Sequence, residues 1–162
     1  MIPYSIDAYY KDIKTLARIV QAYEEVTSEN LRWQPDYIIG IARGGLVPSV
    51  YLSHLLDKPM KSVTWQLRDG KVKESLPWYS LGPGSQVLIV DDINDSGNTF
   101  SEMLEDIREK NDLRPDKIKQ NVKTAALWER SSSKFRVDFS MNKIDTEDWI
   151  IFPWELPPKE KK

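Results

Sequence analysis

The chain has 162 residues, a formal net charge of −2 and no cysteine. That length fits one domain with one substantial core, and the small net charge provides no global basic field for nucleic acid or an anionic membrane. Without cysteine, disulfides and thiolate zinc sites are excluded, which is compatible with a reducing, cytoplasmic setting.

Asp7, Lys11, Asp12 and Lys14 interrupt residues 1–20, so neither a signal peptide nor a spanning helix is expected there. Instead Ile6, Tyr9, Ile13, Leu16, Ala17, Val20 and Tyr23 recur at helical spacing, predicting an amphipathic helix capped by Ser5 or Asp7. Residues 36–42 contain the apolar run Tyr37-Ile38-Ile39, which predicts a buried strand. Gly40-Ile41-Ala42-Arg43-Gly44-Gly45-Leu46 follows; its glycines allow close backbone approach to an anion, and Arg43 adds a permanent forked donor. Residues 44–56 read as a helix in which Pro48 is tolerated near the first turn. A strand is predicted over 63–67, and the charged, Gly- and Pro-containing residues 68–86 make a long connection. His54, the only histidine, has no partners for a metal cluster, and packing or surface exposure is its expected role.

Val87-Leu88-Ile89-Val90 then reads as a strand buried on both faces, ending in Asp91 and Asp92. The small polar loop Asp95-Ser96-Gly97-Asn98-Thr99 leads into a helix from about 99 to 110. Such a loop offers free N–H groups and the positive dipole end, which suit a phosphate. The carboxylates cannot sit on that phosphate, so they need sugar hydroxyls or a divalent cation. The combination calls for a phosphorylated sugar. A further strand is predicted near 122–128. Repeated strand–turn–helix units argue for an α/β fold: a central, mainly parallel sheet flanked by helices, with ligands at the strand C-terminal ends.

The stretch 87–100 closely resembles the phosphoribosyl pyrophosphate (PRPP) motif of the type I phosphoribosyltransferases. The Ala42-Arg43-Gly44 loop and the segment Asp148-Trp149-Ile150-Ile151-Phe152-Pro153-Trp154-Glu155 are similar to those of the small purine-specific members. The resemblance implies that Asp91 and Asp92 hold the ribose hydroxyls and help place Mg2+, with Glu155 a further carboxylate near a metal. It implies that residues 95–99 wrap the 5′-phosphate and that Ala42, Arg43, Gly44 and Arg68 meet pyrophosphate, the peptide before the arginine being often cis. Trp149 would stack on the purine and Ile150 would meet its edge through the backbone, although tryptophans more often simply fill a core. Relatives carry a lysine after the strand ending near Trp128; here Arg130, or alternatively Lys134, takes the role of donor to the 6-oxo group. Asp95 is a candidate general base for N7 or simply the cap of the next helix. Residues 68–86 resemble a mobile loop, in which Arg68, Asp69 and Lys71 either reach pyrophosphate or are solvated. One domain over 1–162 is expected, with a C-terminal hood at about 128–158, as a homodimer or higher homo-oligomer. The expected activity is transfer of the phosphoribosyl group from PRPP to a 6-oxopurine. A non-purine base, or a PRPP-sensing regulator without turnover, are the alternatives.

Overall fold

The structure, a computed structural model, describes residues 1–23, 33–66, 72–73 and 84–155. A short strand β1 (Ile2–Pro3) precedes helix α1 (Ile6–Ala22), whose cap is Ser5: its Oγ accepts from Ala8 N at 3.1 Å. There follow β2 (Tyr37–Ala42), α2 (Leu46–Leu56), β3 (Met60–Gln66) and β4 (Val72–Lys73). Next come β5 (Val87–Asn94), α3 (Asn98–Lys110), α4 (Pro115–Asn121), β6 (Val122–Arg130), β7 (Phe139–Ile144) and β8 (Ile150–Ile151). Pro48 lies in the first turn of α2, where its missing N–H breaks no intrahelical bond.

The central sheet runs β4-β3-β2-β5-β6-β7; every pairing is parallel except β3 with β4. Successive strand residues face opposite layers. Ile38, Leu88, Val90, Ala125 and Leu127 pack with Tyr9, Ile13, Leu16, Val20 and Leu52 of α1 and α2. Ile39, Ile41, Val63 and Ile89 pack with Phe100, Met103, Ile107 and Ile118 on the other side. Burial on both faces explains the unbroken apolar run of β5, each such side chain contributing ~1.5–3 kcal/mol.

The strand expected over 63–67 begins earlier, at Met60, since pairing with β2 extends it. The sequence reading placed no helix at α4 and no strand at β1, β7 or β8. β7 lies within the segment expected to form the hood, yet joins the central sheet beside β6. Of the connection 68–86, only Val72–Lys73 and the stretch from Gly84 fall within the described residues; Arg68, Asp69 and Lys71 lie outside them.

Candidate active site

The strand order turns back between β2 and β5: β3 lies on one side of β2, and β5 returns to the other. The loops leaving β2 and β5 therefore diverge, which opens a crevice at the strand C-terminal ends. A cleft of about 870 Å3 occupies this position. Its walls include Ala42, Arg43 and Gly44, then Asp91 and Asp92, Asp95, Ser96, Asn98 and Thr99, and finally Arg130, Trp149, Ile150, Trp154 and Glu155. Three segments distant in sequence thus share one cavity.

The first loop lies against the acidic pair. The Ala42–Arg43 peptide is cis. A Cβ on Gly44 would stand 1.9 Å from Asp92 Oδ2, and one on Gly45 would stand 2.5 Å from the Val90 carbonyl. Both glycines are needed for that close approach. Arg43 remains exposed at the rim.

The acidic pair forms the floor. Asp91 Oδ1 accepts from Asp92 N at 2.9 Å, and Asp92 Oδ1 accepts from Ile93 N at 2.8 Å. Burial, then the Asp92 charge, pushes the Asp91 carboxyl well above the ordinary carboxylate range. Burial also pushes Asp92 up, to about 6, with the nearby Glu155 charge adding to the rise. A carboxyl raised on folding favours the folded state at low pH, and that contribution is lost as pH rises through the raised value. The ligand-free protein should therefore lose stability as pH rises from about 4 to about 7. Asp92→Asn should relieve this, on the order of 1–2 kcal/mol, or several degrees in Tm, at about pH 7.5. Calorimetry of both proteins without divalent cations should show the gap closing toward about pH 4.5. A gap independent of pH would refute the assignment.

The N-cap residue of the second loop provides no side-chain bond, while Ser96 Oγ accepts from Asn98 N at 3.3 Å. Gly97 takes the N-cap position of α3 in the left-handed conformation, φ 86°. Asp95 does not cap the helix; its Oδ1 instead accepts from Arg130 Nε at 2.5 Å. The register of β5 with β6 pairs Asn94 with Glu129, which brings the next residues, Asp95 and Arg130, side by side. A Cβ on Gly97 would meet Phe135 N at 2.6 Å and Ser133 Oγ at 2.8 Å. The missing side chain therefore makes room for the chain behind the loop.

Behind the loop lies a buried polar network that the sequence reading missed. Asn94 Nδ2 donates to Phe135 O at 2.8 Å and to Glu129 Oε1 at 3.2 Å. Ser133 Oγ reaches Asn94 Oδ1 at 3.2 Å, and Lys134 N donates to Ser96 O at 3.1 Å. Glu129, 3% exposed, is also met by Val137 N at 3.1 Å. These bonds satisfy a buried carboxyl group and pin residues 94–97 from below. Asn94, a polar residue closing the strand beyond the acidic pair and Ile93, was the available signal.

The third wall divides the aromatics by role. Phe152 is 3% exposed, and Trp154 stacks on it at 5.0 Å and meets Tyr9 edge-on at 5.1 Å, so both back the cleft wall by packing on the core. Trp149 is 42% exposed within the cleft wall. Ile2 N donates to Trp149 O at 2.8 Å and Tyr4 N to Ile151 O at 2.9 Å. In a parallel ladder this pattern turns the polar backbone groups of the intervening Ile150 away from β1. Lys134 is exposed and does not line the cleft, whereas Arg130 does. His54 is exposed at the end of α2.

Oxygen donors on the cleft floor suit a hard cation such as magnesium. They do not close into a complete cage: among the described residues no group of three or more His, Cys, Asp or Glu side chains gathers to hold an ion. Glu155 Oε2 instead accepts from Phe152 N at 3.4 Å. The set fits an ion that keeps waters and shares one or two protein carboxylates with a substrate's oxygens, which is the habit of magnesium.

An α/β sheet with two glycine-containing loops flanking an acidic pair at its switch point defines a protein of the class that binds ligands in the crevice beyond the strand C-terminal ends. A sequence model of the phosphoribosyl transferase domain matches residues 7–161, and the chain belongs to that family, a pentosyltransferase by its domain and its neighbours. The xanthine-guanine phosphoribosyltransferase of Cereibacter sphaeroides is 31% identical over 135 residues, 79% of this chain and 72% of that protein. The crystal structure of purine phosphoribosyltransferase from Pyrococcus horikoshii shares the fold with a TM-score of 0.74 at 28% identity, covering 99% of this chain and 98% of that one. Helicobacter pylori xanthine-guanine-hypoxanthine phosphoribosyltransferase shares the fold alone, with a TM-score of 0.71 at 24% identity over 96% of this chain and 93% of that one. The family and the α/β architecture read from the sequence are borne out. Among the described residues no helix is long and apolar enough to cross a membrane.

Proposed function

We propose that the protein transfers the 5-phosphoribosyl group of PRPP to a 6-oxopurine (hypoxanthine, guanine or xanthine), yielding the nucleoside monophosphate and pyrophosphate in a cytoplasmic setting. One observation carries this reading: the two loops, the acidic pair and the exposed Trp149 line a single cleft. Relatives named for xanthine and guanine support the purine class. A homodimer or higher homo-oligomer is proposed with it, as the resemblance implies.

The bond between C1′ and the pyrophosphate oxygen breaks as the bond to the purine nitrogen forms, and the ribose ring becomes cationic between them. Asp91 and Asp92 hold the ribose hydroxyls and fix the ring in that state. Ala42, Gly44 and Arg43 receive the leaving pyrophosphate with backbone groups and a guanidinium, and Arg68 is proposed to join them. Magnesium, held through Asp91 or Asp92 with Glu155 nearby, would supply charge neutralisation of the pyrophosphate oxygens. The amides and hydroxyls of residues 95–99 hold the 5′-phosphate at the start of α3. Trp149 stacks on the base while the Ile150 backbone and Arg130 meet its edge. With Oδ1 of Asp95 on Arg130, its other oxygen accepts the proton from N7.

The test is nucleotide formation from PRPP and magnesium with hypoxanthine, guanine, xanthine, adenine and uracil. Turnover of 6-oxopurines above adenine is expected; preference for uracil would move the reading to another base, and tight PRPP binding without turnover to a regulator. Trp149→Ala should weaken hypoxanthine and adenine alike, by ~1–3 kcal/mol. Arg130→Met should narrow the gap between them, because an unpaired buried donor costs ~1–3 kcal/mol only where the oxo group is missing. An unchanged ratio of efficiencies would remove Arg130 from the role of reader.

A further inference from the structure

The Arg130 side chain is 9% exposed, and each of its nitrogens points to a different partner. Nε donates to Asp95 Oδ1 at 2.5 Å, one terminal nitrogen donates to the Thr146 carbonyl, and the other donates to the Asp148 carbonyl at 3.4 Å. Asp95 opens the loop 95–99, and Asp148 immediately precedes Trp149. Among the described residues, no backbone hydrogen bond joins 95–99 to 146–149, and this planar cation is a direct polar tie between them. Its own backbone is held firmly. The Arg130 carbonyl accepts from Arg136 at 3.2 Å, and Ser131 N donates to Ile144 O at 2.9 Å.

We propose that Arg130 is a positioning residue that couples the two substrate segments, in addition to any contact with a base. An anion that settles on 95–99 fixes Asp95; through the guanidinium it also fixes the Thr146–Asp148 turn, and with it the Trp149 ring. The inference rests on assigning 95–99 to a phosphate and Trp149 to the base. A lysine could reach an oxo group as a point charge, but it lacks the rigid fork that addresses separate partners in one plane. Arg130→Lys therefore separates reading from coupling.

Hydrogen exchange resolved by residue, with and without ribose 5-phosphate as the probe, tests this. In the wild type the probe should slow exchange at 95–99 and also, remotely, at 146–150, the latter by about fivefold or more. Arg130→Lys should keep the first effect and lose the second, and its purine KM should rise about tenfold with a smaller change in kcat. Asp95→Asn removes the charge pair while leaving both carbonyl bonds. It should also uncouple 146–150, and it serves if the lysine variant fails to fold. Equal slowing at 146–150 in wild type and variants, or none there in the wild type while 95–99 responds, would overturn the coupling alone. No response at 95–99 in the wild type would overturn the phosphate assignment and the coupling with it.

Discussion

Replacing Asp91 and Asp92 together by asparagine is expected to lower kcat/KM for PRPP roughly 100-fold or more while leaving the fold intact. The pair sits at the C-terminal end of β5, on the floor between the two loops, so an amide there keeps volume and most local hydrogen bonds. It cannot keep the negative charge that a cation requires, nor accept from ribose hydroxyls as strongly as a carboxylate. The same substitutions should raise the Tm of the ligand-free protein at neutral pH, because two crowded carboxyls no longer need to ionise. Opposite signs for stability and turnover mark a site whose strain serves its ligand. Steady-state kinetics over a magnesium series, with melting curves in parallel, checks both; undiminished turnover at low magnesium would remove the pair from the mechanism.

Gly97→Ala and Thr99→Val should both raise the PRPP requirement, by different routes. Gly97 holds φ 86°, where an L side chain costs ~1–2 kcal/mol, and its Cβ would press on the Phe135 backbone. Alanine there should shift the whole loop, lowering Tm by several degrees and raising the PRPP KM about tenfold or more. Thr99 lines the cleft, and valine removes only its hydroxyl; the PRPP KM should rise by about five- to tenfold with little change in Tm. Kinetics and melting of the two single variants separate the effects. If Thr99→Val destabilises as much as Gly97→Ala, the hydroxyl is structural and the loop is not a phosphate cradle of this kind.

The chain order of elements was legible because β2 and β5 are buried on both faces and α1 on one, so their apolar patterns are strong and local. The loops that supply chemistry were legible for a related reason. Asp91, Asp92 and Gly97 each answer a demand made within a few residues: charge at a strand end and a left-handed turn. β7 was not legible. Phe139-Ser140-Met141-Asn142-Lys143-Ile144 is half polar, as an edge strand can be, and only its pairing with β6 makes it a strand.

What the sequence by itself determined is the family, the parallel α/β sheet, and the three segments that carry the candidate site. Only the tertiary structure decided their mutual arrangement. It brought Asp95 to Arg130 instead of to a helix cap, set Gly97 against Phe135, sent Lys134 away from the cleft, and kept Trp149 exposed while Phe152 was buried. The physical reason is that caps, apolar periodicity and turn glycines are satisfied by near neighbours. Ion pairs and cavity walls are set by strand register between residues tens of positions apart, and no local pattern encodes that register.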